Sequence, residues 1–401
     1  MLSAQSSPVV RATLPTVEAS LPAIAERFYQ RLFDEHPALL SDLFNRANQA
    51  NGSQREALAG AIAAFARLLV EHPEERPDAV LARIAHKHVS LGITPDQYTI
   101  VGRHLLGAVA EVLGEAVTPQ VATAWDEVYW LMANALIAAE ARLYAQAAVA
   151  GGDVWRRMEI AERREETADV VSLTLREPDH ETARRFLPGQ YVGVRVELPD
   201  GARQIRQYSL CCAPGSKTWR ITVKREKPAG PGAPDGEVSS WLHAHAHAGD
   251  TLEVSLPSGD LALHDADTPL LLASAGIGVT PMLSMLHHLA LSASTRRIHV
   301  LHADRSPAHH IHREEQAELV SRLTNASLHL WYERGARTLT GPDASEGTVS
   351  LDRLPLTPRT DAYLCGPLPF MRALRTGLLN AGLHARAIHY EVFGPDLWQS
   401  R

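Results

Sequence analysis

A histidine on an otherwise aliphatic helix face is the first residue of this chain that could do chemistry. In the stretch 77–89, Leu81, Ile84 and His88 fall on one face of a predicted helix, and His86 points away from that face. Neutral imidazole is a good ligand for iron, so His88 is a candidate axial ligand of a haem. The alternative for His88, a buried core histidine with a hydrogen-bond partner, stays open on this pattern alone.

Three residues from earlier in the chain could complete a haem pocket. Tyr29 lies in an early apolar helix, and its hydroxyl could donate a hydrogen bond to a ligand of the iron. Phe44 lies in a Leu-Phe-Asn corner suited to stacking on a porphyrin, and Gln54 opens the helix that follows. Tyr29 and Phe44 also have a simpler interpretation as core residues, and Gln54 as a capping or surface residue.

Two later residues could act on the other side of His88. Tyr98 lies at the start of the helix after His88, and Glu140 continues a stripe with Met132 and Leu136, where a carboxylate is unexpected. If both reach the second ring nitrogen of His88, they would increase electron donation to the iron, which favours oxygen activation over storage. A carboxylate just beyond the edge of the core is the alternative for Glu140.

A second set of residues, in the middle of the chain, suits a flavin. A guanidinium pairs well with a pyrophosphate, and an aromatic ring beside a hydroxyl suits an isoalloxazine ring. Backbone amides at a predicted helix start could hold flavin phosphates. The residues are Tyr191, Arg206, Tyr208 and Ser209 for the first two roles, and Gly236, Val238 and Ser239 for the helix start. Each stretch alone could equally be ordinary strand and turn residues.

The last part of the chain has the pattern of a dinucleotide site. A strand at 270–273 runs into a glycine turn and then a helix, although the third glycine of GxGxxG is missing. A second glycine turn follows a later strand. The two turns contain Gly276, Gly278, Thr280 and Pro281, and Cys365, Gly366 and Pro367. Cys365 is interpreted as positional rather than nucleophilic, and Phe393 near the C-terminus could cover a flavin.

Three predicted domains place these residues. Residues 1–150 show helix periodicity and almost no strand alternation, which indicates an all-α domain. After Gly151 and Gly152, residues 151–264 show strands at 170–175, 191–198, 219–224 and 251–256 between turns, as in an antiparallel barrel. In residues 265–401, strands at 270–273, 298–302 and 362–365 alternate with helices, which predicts an α/β domain with a parallel sheet.

Composition limits the class of protein. The chain has 401 residues, of which 45% are apolar and 21% charged, as in soluble proteins of several domains. Its net charge of −7 argues against nucleic-acid binding. Its three cysteines form no CxxC or CxxCH motif, so we expect a reducing compartment and a haem that is not covalently attached. The N-terminus lacks a signal pattern and no stretch reaches the ~20 apolar residues of a membrane span, so we expect a cytoplasmic protein.

In this order the motifs resemble the bacterial and yeast flavohaemoglobins over essentially the whole chain. The matching stretches are 28–29, 51–58, 87–88, 97–98, 206–209, 274–282, 365–367 and 389–395. The resemblance implies a globin domain followed by a ferredoxin reductase-like pair, an FAD-binding β-barrel and an NAD(P)-binding α/β domain. It also implies haem b, FAD and NAD(P)H as cofactors.

The resemblance assigns roles to single residues as well. Around the haem, it implies His88 as the proximal ligand, Tyr98 and Glu140 as the residues that orient it, and Tyr29, Gln54 and Leu58 as the distal pocket. Around the flavin, it implies Tyr191, Arg206, Tyr208 and Ser209 as FAD-binding residues and Phe393 as the aromatic residue on the flavin. Lys87 and Glu391 are implied to bridge the haem and flavin regions.

The activity that the resemblance implies is nitric oxide dioxygenation. NAD(P)H reduces FAD, FAD reduces the haem, and nitric oxide and dioxygen are converted to nitrate. Two alternatives stay open: a general NAD(P)H-dependent reductase for quinone, ferric or peroxide acceptors, and a haem gas sensor whose reductase resets the iron. In each case the substrates are small molecules, and we expect a monomer.

Two departures from the family and one ambiguity remain. Val279 stands where many relatives carry a polar residue, commonly glutamine, which bears on contacts to the nicotinamide. The neighbouring Cys211 and Cys212 are either oxidation-sensitive thiols or two packed small side chains. Asp304 suits a ribose hydroxyl and Arg305 a phosphate, so the sequence leaves the preference between NADH and NADPH open.

Overall fold

The computed structural model describes residues 1–75, 77–178, 184–227, 235–336, 344–352 and 354–394. The chain divides into two compact units. The first comprises residues 1–155 and 195–206 together with Gly394, and the second comprises residues 156–194 and 207–393. The predicted order of an all-helical region, an antiparallel sheet and a parallel sheet is confirmed.

The first unit consists mainly of α-helices whose starts are set by capping residues. Thr94 and Gln97 form a reciprocal capping box, with Pro95 as the first helical residue. Thr118 accepts a hydrogen bond from the amide of Val121 in the same way at the start of the last long helix. The helices are α1 (Ser6–Glu35), α2 (Pro37–Asp42), α3 (Arg46–Ala50), α4 (Ser53–Glu71), α5 (Asp78–Leu91), α6 (Pro95–Leu113) and α7 (Pro119–Gln146).

Two apolar helix faces of the helical unit include side chains that are only partly buried. On α4, Phe65 is 1% exposed, whereas Leu58 and Ile62 earlier on the same stripe are only partly buried. On α5, Leu81 is 2% exposed, whereas Ile84 is only partly buried. Apolar side chains in the first half of α4 and in the middle of α5 are therefore left partly uncovered by the described residues.

The helices are followed by an antiparallel sheet whose strand order is β4-β3-β6-β1-β2-β5. The predicted strands are confirmed to within two residues. β1 was not predicted, because its many Arg and Glu residues hide the alternation in which Met158 and Ile160 are buried. The elements are β1 (Trp155–Thr167), β2 (Val170–Arg176), β3 (Tyr191–Glu197), β4 (Arg203–Ser209), β5 (Trp219–Lys224), α8 (Glu237–His245) and β6 (Thr251–Ser255).

The remaining strands form a parallel sheet of order β10-β9-β8-β7-β11-β12. Every residue of β7 is buried, as expected for a central parallel strand with both faces covered. The strand order reverses at β7, since β8 pairs on one side of it and β11 on the other. The elements are β7 (Leu270–Ala275), α9 (Val279–Leu291), β8 (Ile298–Asp304), α10 (Arg313–Ser321), β9 (Ala326–Tyr332), β10 (Ala344–Glu346), β11 (Asp361–Cys365), α11 (Leu368–Asn380) and β12 (Ile388–Glu391).

Among the described helices, none is both long enough and apolar enough to cross a membrane.

Candidate functional site

Two oxygen atoms lie near one ring nitrogen of His88, and the other ring nitrogen has no hydrogen-bond partner among the described residues. Its Nδ1 lies 2.8 Å from Oε1 of Glu140 and 2.9 Å from the hydroxyl of Tyr98. Within the part of the chain that the structure describes, no polar atom lies within hydrogen-bonding distance of its Nε2. A proton on Nδ1 that is donated to Glu140 leaves the lone pair on Nε2, which is the tautomer that binds a metal.

The two partners of His88 come from different helices. Tyr98 lies at the start of α6, and Glu140 lies on α7 one turn beyond Leu136. The Tyr98 hydroxyl donates to Glu140, whose side chain is only 3% exposed. Burial and the nearby Glu140 carboxylate raise the pKa of Tyr98, so the hydroxyl keeps its proton. The helix stripe that placed Glu140 on the inner face is therefore correct, and the carboxylate has a buried partner.

Tyr29, Phe44 and Gln54 also come together in the structure. Burial raises the pKa of Tyr29 to about 12, and the nearby side chains of Gln54 and Gln49 partly offset this. The ring of Phe44 meets that of Tyr29 edge-on, with 5.7 Å between centroids. Leu58 lies one turn after Gln54 on α4. A protonated, buried hydroxyl next to an aromatic ring and an amide is a suitable environment for a small polar ligand.

These residues fit a bound haem. The open Nε2 of His88 offers a single nitrogen ligand, as a haem iron requires. The half-buried apolar side chains of Phe44, Leu58, Ile62 and Ile84 would be covered by a porphyrin.

The corner that contains Phe44 is fixed by a residue from the sheet. The side-chain amide of Gln204 on β4 donates to the backbone carbonyls of Leu40, Ser41 and Phe44, at 3.3, 2.9 and 3.1 Å. Gln204 is 1% exposed, and its carbonyl oxygen accepts from the Arg46 amide. The segment 195–206 therefore supports the helical unit directly.

The residues predicted to bind a flavin lie on neighbouring parts of the antiparallel sheet. Arg206 and Tyr208 are two residues apart on β4 and so share one face. The Arg206 guanidinium donates to its neighbour Ile205 at 2.7 Å. Ser209, which ends the strand, is 4% exposed, and its hydroxyl has no hydrogen-bond partner among the described residues. Tyr191 on β3 is 7% exposed and packs against Gly259.

The start of α8, which is predicted to bind phosphate, has a closely packed glycine as its N-cap. Gly236 is its N-cap, and a Cβ there would lie 2.6 Å from the Ser239 hydroxyl, so only glycine fits. Val238 is fully buried, which leaves its backbone amide as the group that could face a ligand. The Ser240 hydroxyl is enclosed without a hydrogen-bond partner in the described chain. Two such enclosed serine hydroxyls, Ser209 and Ser240, fit a polar cofactor such as FAD.

The two glycine turns lie side by side at the point where the parallel sheet reverses its strand order. Gly276 follows β7 with φ of 52°, and Gly366 follows β11 with φ of 151°. A Cβ on Gly278 would lie 2.3 Å from the carbonyl oxygen of Cys365. Only glycines allow the backbones to approach this closely. A turn at the carboxyl ends of strands at a reversal of strand order is where open α/β sheets bind nucleotides.

Other predicted residues near these turns have structural roles. The Thr280 hydroxyl donates to the Ile277 carbonyl at 2.9 Å, Pro281 is buried in α9, and Pro367 caps α11. Burial raises the pKa of the Cys365 thiol well above its usual range, in agreement with a positional role. Val279 is fully buried in the core, so its side chain points away from solvent.

The last predicted residues lie near the C-terminus. Glu391 ends β12 beside Cys365 and is 6% exposed, and Phe393 is 46% exposed. The Lys87 ammonium donates to the carbonyl oxygen of Gly394 at 3.1 Å. Pro395, at the end of the stretch 389–395, lies outside the described residues.

Comparison with known families covers all three regions. Residues 26–136 match the globin family, residues 157–263 the oxidoreductase FAD-binding domain and residues 272–376 the oxidoreductase NAD-binding domain. A flavohemoprotein of Bordetella parapertussis is 42% identical over 404 residues, which cover 98% of this chain and 99% of the relative. This chain belongs to the flavohemoprotein family. A flavohemoprotein of Rhizobium meliloti is 40% identical and covers 99% of the chain and 100% of the relative.

Solved structures of this family agree. The flavohemoglobin of Malassezia yamatoensis, determined with bound FAD and heme, is 36% identical with a TM-score of 0.89 and covers 98% of this chain and 100% of that one. The FAD/NAD-binding domain of the nitric oxide dioxygenase of Vibrio cholerae is 35% identical with a TM-score of 0.54. It covers 60% of this chain and 99% of that one. The chain is thus an oxidoreductase with a globin domain and FAD- and NAD-binding domains.

For this flavohemoprotein, sequence patterns missed three polar residues that the structure places at the candidate sites. Gln49 lies beside Tyr29, Gln204 holds the Phe44 corner, and Ser240 lies at the start of α8. Of these three, only Ser240 could have been predicted from the sequence, because it follows Ser239 in the predicted helix start.

Proposed function

We propose that this chain is a nitric oxide dioxygenase, which uses NAD(P)H and dioxygen to convert nitric oxide to nitrate. The observation that carries the proposal is the pairing of His88 with Tyr98 and Glu140 in a chain that also carries FAD- and NAD-binding oxidoreductase domains. The name of the Vibrio cholerae structural relative supports the same activity. Bound together, haem b, FAD and NAD(P)H supply an iron centre, single-electron transfer and hydride transfer.

His88, Glu140 and Tyr98 act as one unit. His88 offers Nε2 to the iron, while Glu140 accepts the Nδ1 proton and fixes the orientation of the ring. Because the carboxylate is buried, its negative charge acts on the imidazole with little screening by water. The ring therefore gains imidazolate character and donates more electron density, which suits oxygen activation better than reversible storage.

Tyr29, Gln54 and Leu58 form the opposite wall of the pocket. With a pKa of about 12, Tyr29 keeps its proton at neutral pH and donates a hydrogen bond to a small ligand. The side chain of Gln54 lies near that hydroxyl. Leu58 limits the room available, and Phe44 packs against the porphyrin.

The reductase residues bind and orient the other cofactors. Arg206 pairs with the pyrophosphate of FAD, and Tyr208, Ser209 and Tyr191 contact its ring system or polar edge. Backbone amides at the start of α8, from Gly236 to Ser239, hold phosphate oxygens. In the proposed arrangement Phe393 covers the flavin. Lys87 belongs to the haem region, and Glu391 belongs to the flavin region.

The two glycine turns would hold the nicotinamide cofactor. Gly276 and Gly278 let a pyrophosphate approach the backbone at the start of α9, where Thr280 and Pro281 shape the first turn. Cys365, Gly366 and Pro367 form the neighbouring wall.

The domain limits of the proposal are residues 1–150, 151–264 and 265–401. We place the protein in the cytoplasm as a monomer that acts on small molecules. The free thiols of Cys211, Cys212 and Cys365 support a reducing compartment.

The test measures the consumption of nitric oxide by the holoprotein with NADH and with NADPH, in air and without oxygen. Each nitrate formed from nitric oxide and dioxygen needs one electron, so nitrate should appear at twice the amount of NAD(P)H oxidised. Quinone and ferric acceptors are measured in parallel. Faster turnover of those acceptors than of nitric oxide would favour a general reductase. NAD(P)H oxidation that does not respond to nitric oxide in air would favour a sensor.

A further inference from the structure

Two imidazoles and a carboxylate lie close together in the helical unit. Glu35 ends α1, His36 follows it before α2, and His104 lies in the middle of α6. One ligand atom from each of the three lies within 4.8 Å of the other two. The two imidazole rings meet edge-on, with 5.5 Å between centroids.

His104 is fully enclosed and not satisfied by the protein. Its side chain is 0% exposed, and its Nδ1 has no hydrogen-bond partner among the described residues. Its Nε2 lies 3.8 Å from Oε2 of Glu35. Burial lowers the pKa of His104, so the ring is neutral and has a lone pair for a ligand. Nε2 of His36 is also enclosed without a partner in the described chain. A buried imidazole nitrogen without a hydrogen-bond partner is costly, and His36 and His104 each have one among the described residues.

A cationic side chain already occupies this position. The Arg103 guanidinium lies 2.8 Å from Glu35 Oε2 and 3.4 Å from His104 Nε2. The Arg103 side chain is 62% exposed, so it can leave for solvent without uncovering the core. Arg31, the other cation near His104, is paired with Glu111. Glu35 and His104 therefore already bind a cation, the Arg103 guanidinium, which another cation could replace.

We propose that Glu35, His36 and His104 bind one Zn²⁺ ion, with water as the fourth ligand and with Arg103 displaced into solvent. Two imidazoles, one carboxylate and a water are a common zinc ligand set. In a tetrahedral zinc site the ligand atoms lie about 3.3 Å apart. The group must therefore contract by no more than about 1.5 Å, which the partly exposed Glu35 and His36 can supply. The ion would tie the end of α1 to the middle of α6.

Zinc binding to the tag-free holoprotein, first treated with chelator, tests this proposal. Titration with zinc chloride against a competing chromophoric chelator should show one site that His36→Asn and Glu35→Gln each weaken at least tenfold. Zinc should also raise the melting temperature of the wild-type protein but not of these two variants. Both residues are at least partly exposed, so the variants do not depend on how the core tolerates a change at His104.

Two further variants distinguish zinc binding at the proposed site from zinc binding by exposed histidines elsewhere. His72 lies near Glu74 and Glu75, which are the same ligand types, but all three side chains are more than half exposed. His72→Asn should leave zinc affinity unchanged. Arg103→Ala should tighten zinc binding, because it removes the competing cation, whereas an ion-pair network without a metal role predicts no gain. Unchanged affinity in His36→Asn, or weaker binding in Arg103→Ala, would overturn the proposal.

Discussion

Replacing Glu140 by glutamine should raise the reduction potential of the haem in the holoprotein. Glu140 is 3% exposed, and its Oε1 lies 2.8 Å from Nδ1 of His88. A hydrogen bond to a charged group contributes ~1.5–3 kcal/mol and a neutral one ~0.5–1.5 kcal/mol, so the substitution removes about 1–1.5 kcal/mol of stabilisation. The buried negative charge stabilises ferric more than ferrous iron. At ~59 mV for each ~1.4 kcal/mol in a one-electron couple, the potential should rise by at most roughly 40–60 mV.

Two further variants test whether the rise comes from the charge on the imidazole. Tyr98→Phe removes a neutral partner of the same nitrogen and keeps the carboxylate, so its shift should be smaller. Glu111→Gln removes an equal formal charge from the surface of α6, where Glu111 pairs with Arg27 and Arg31. Solvent and salt screen that charge, so the potential should hardly change.

The assay is a spectroelectrochemical titration that follows the haem bands, with the flavin bands read separately. An unchanged or lower potential in Glu140→Gln would refute the reasoning. An equal rise in Glu111→Gln would mean that net charge, and not the contact with His88, sets the potential.

The other predictions concern the remaining parts of the site. His88→Ala should yield protein with normal flavin but little haem, whereas His86→Ala, on another face of α5, should keep its haem; exchanged absorbance spectra would show that the assigned ligand is wrong. Arg206→Ala should lose FAD on gel filtration and keep its haem bands, and loss of both cofactors would argue against modular binding. Tyr29→Phe removes a hydrogen bond of ~1.5–3 kcal/mol, so dioxygen should dissociate from the reduced holoprotein roughly ten to a hundred times faster. Its flavin reduction rate in stopped flow should stay the same, and a slower flavin step would indicate a disturbed fold.

Local signals predicted most of the helical unit and its candidate ligand. Threonine followed by proline marked the starts of α6 and α7, because threonine suits the N-cap and proline the first helical position. Periodicity along α5 and α7 placed His88 and Glu140 on inner faces. A stripe of apolar residues shows which face of a helix is buried. His88 and Glu140 both lie on inner faces in the same helical core, so few partners other than each other are available to them.

Contacts between distant segments could not be predicted in this way. Gln204 holds the carbonyl of Phe44 from 160 residues away, and nothing in the pattern around either residue indicates the other. The assignment of residues 195–206 to the helical unit depends on the same long-range contacts. The role of Gln49 depends on the direction of its side chain in a short helix, which periodicity does not specify.

The three cysteines lie in buried environments that protect their thiols from oxidation, which suits an enzyme that uses dioxygen. Thiolates, not thiols, react readily with oxidants. Burial raises the pKa of Cys211 and of Cys365, and it raises that of Cys212 to about 12. Arg220 donates to both Cys211 and Cys212 without overcoming that burial. The neighbouring thiols are therefore protonated, packed side chains rather than a redox pair, and burial likewise keeps the Cys365 thiol protonated.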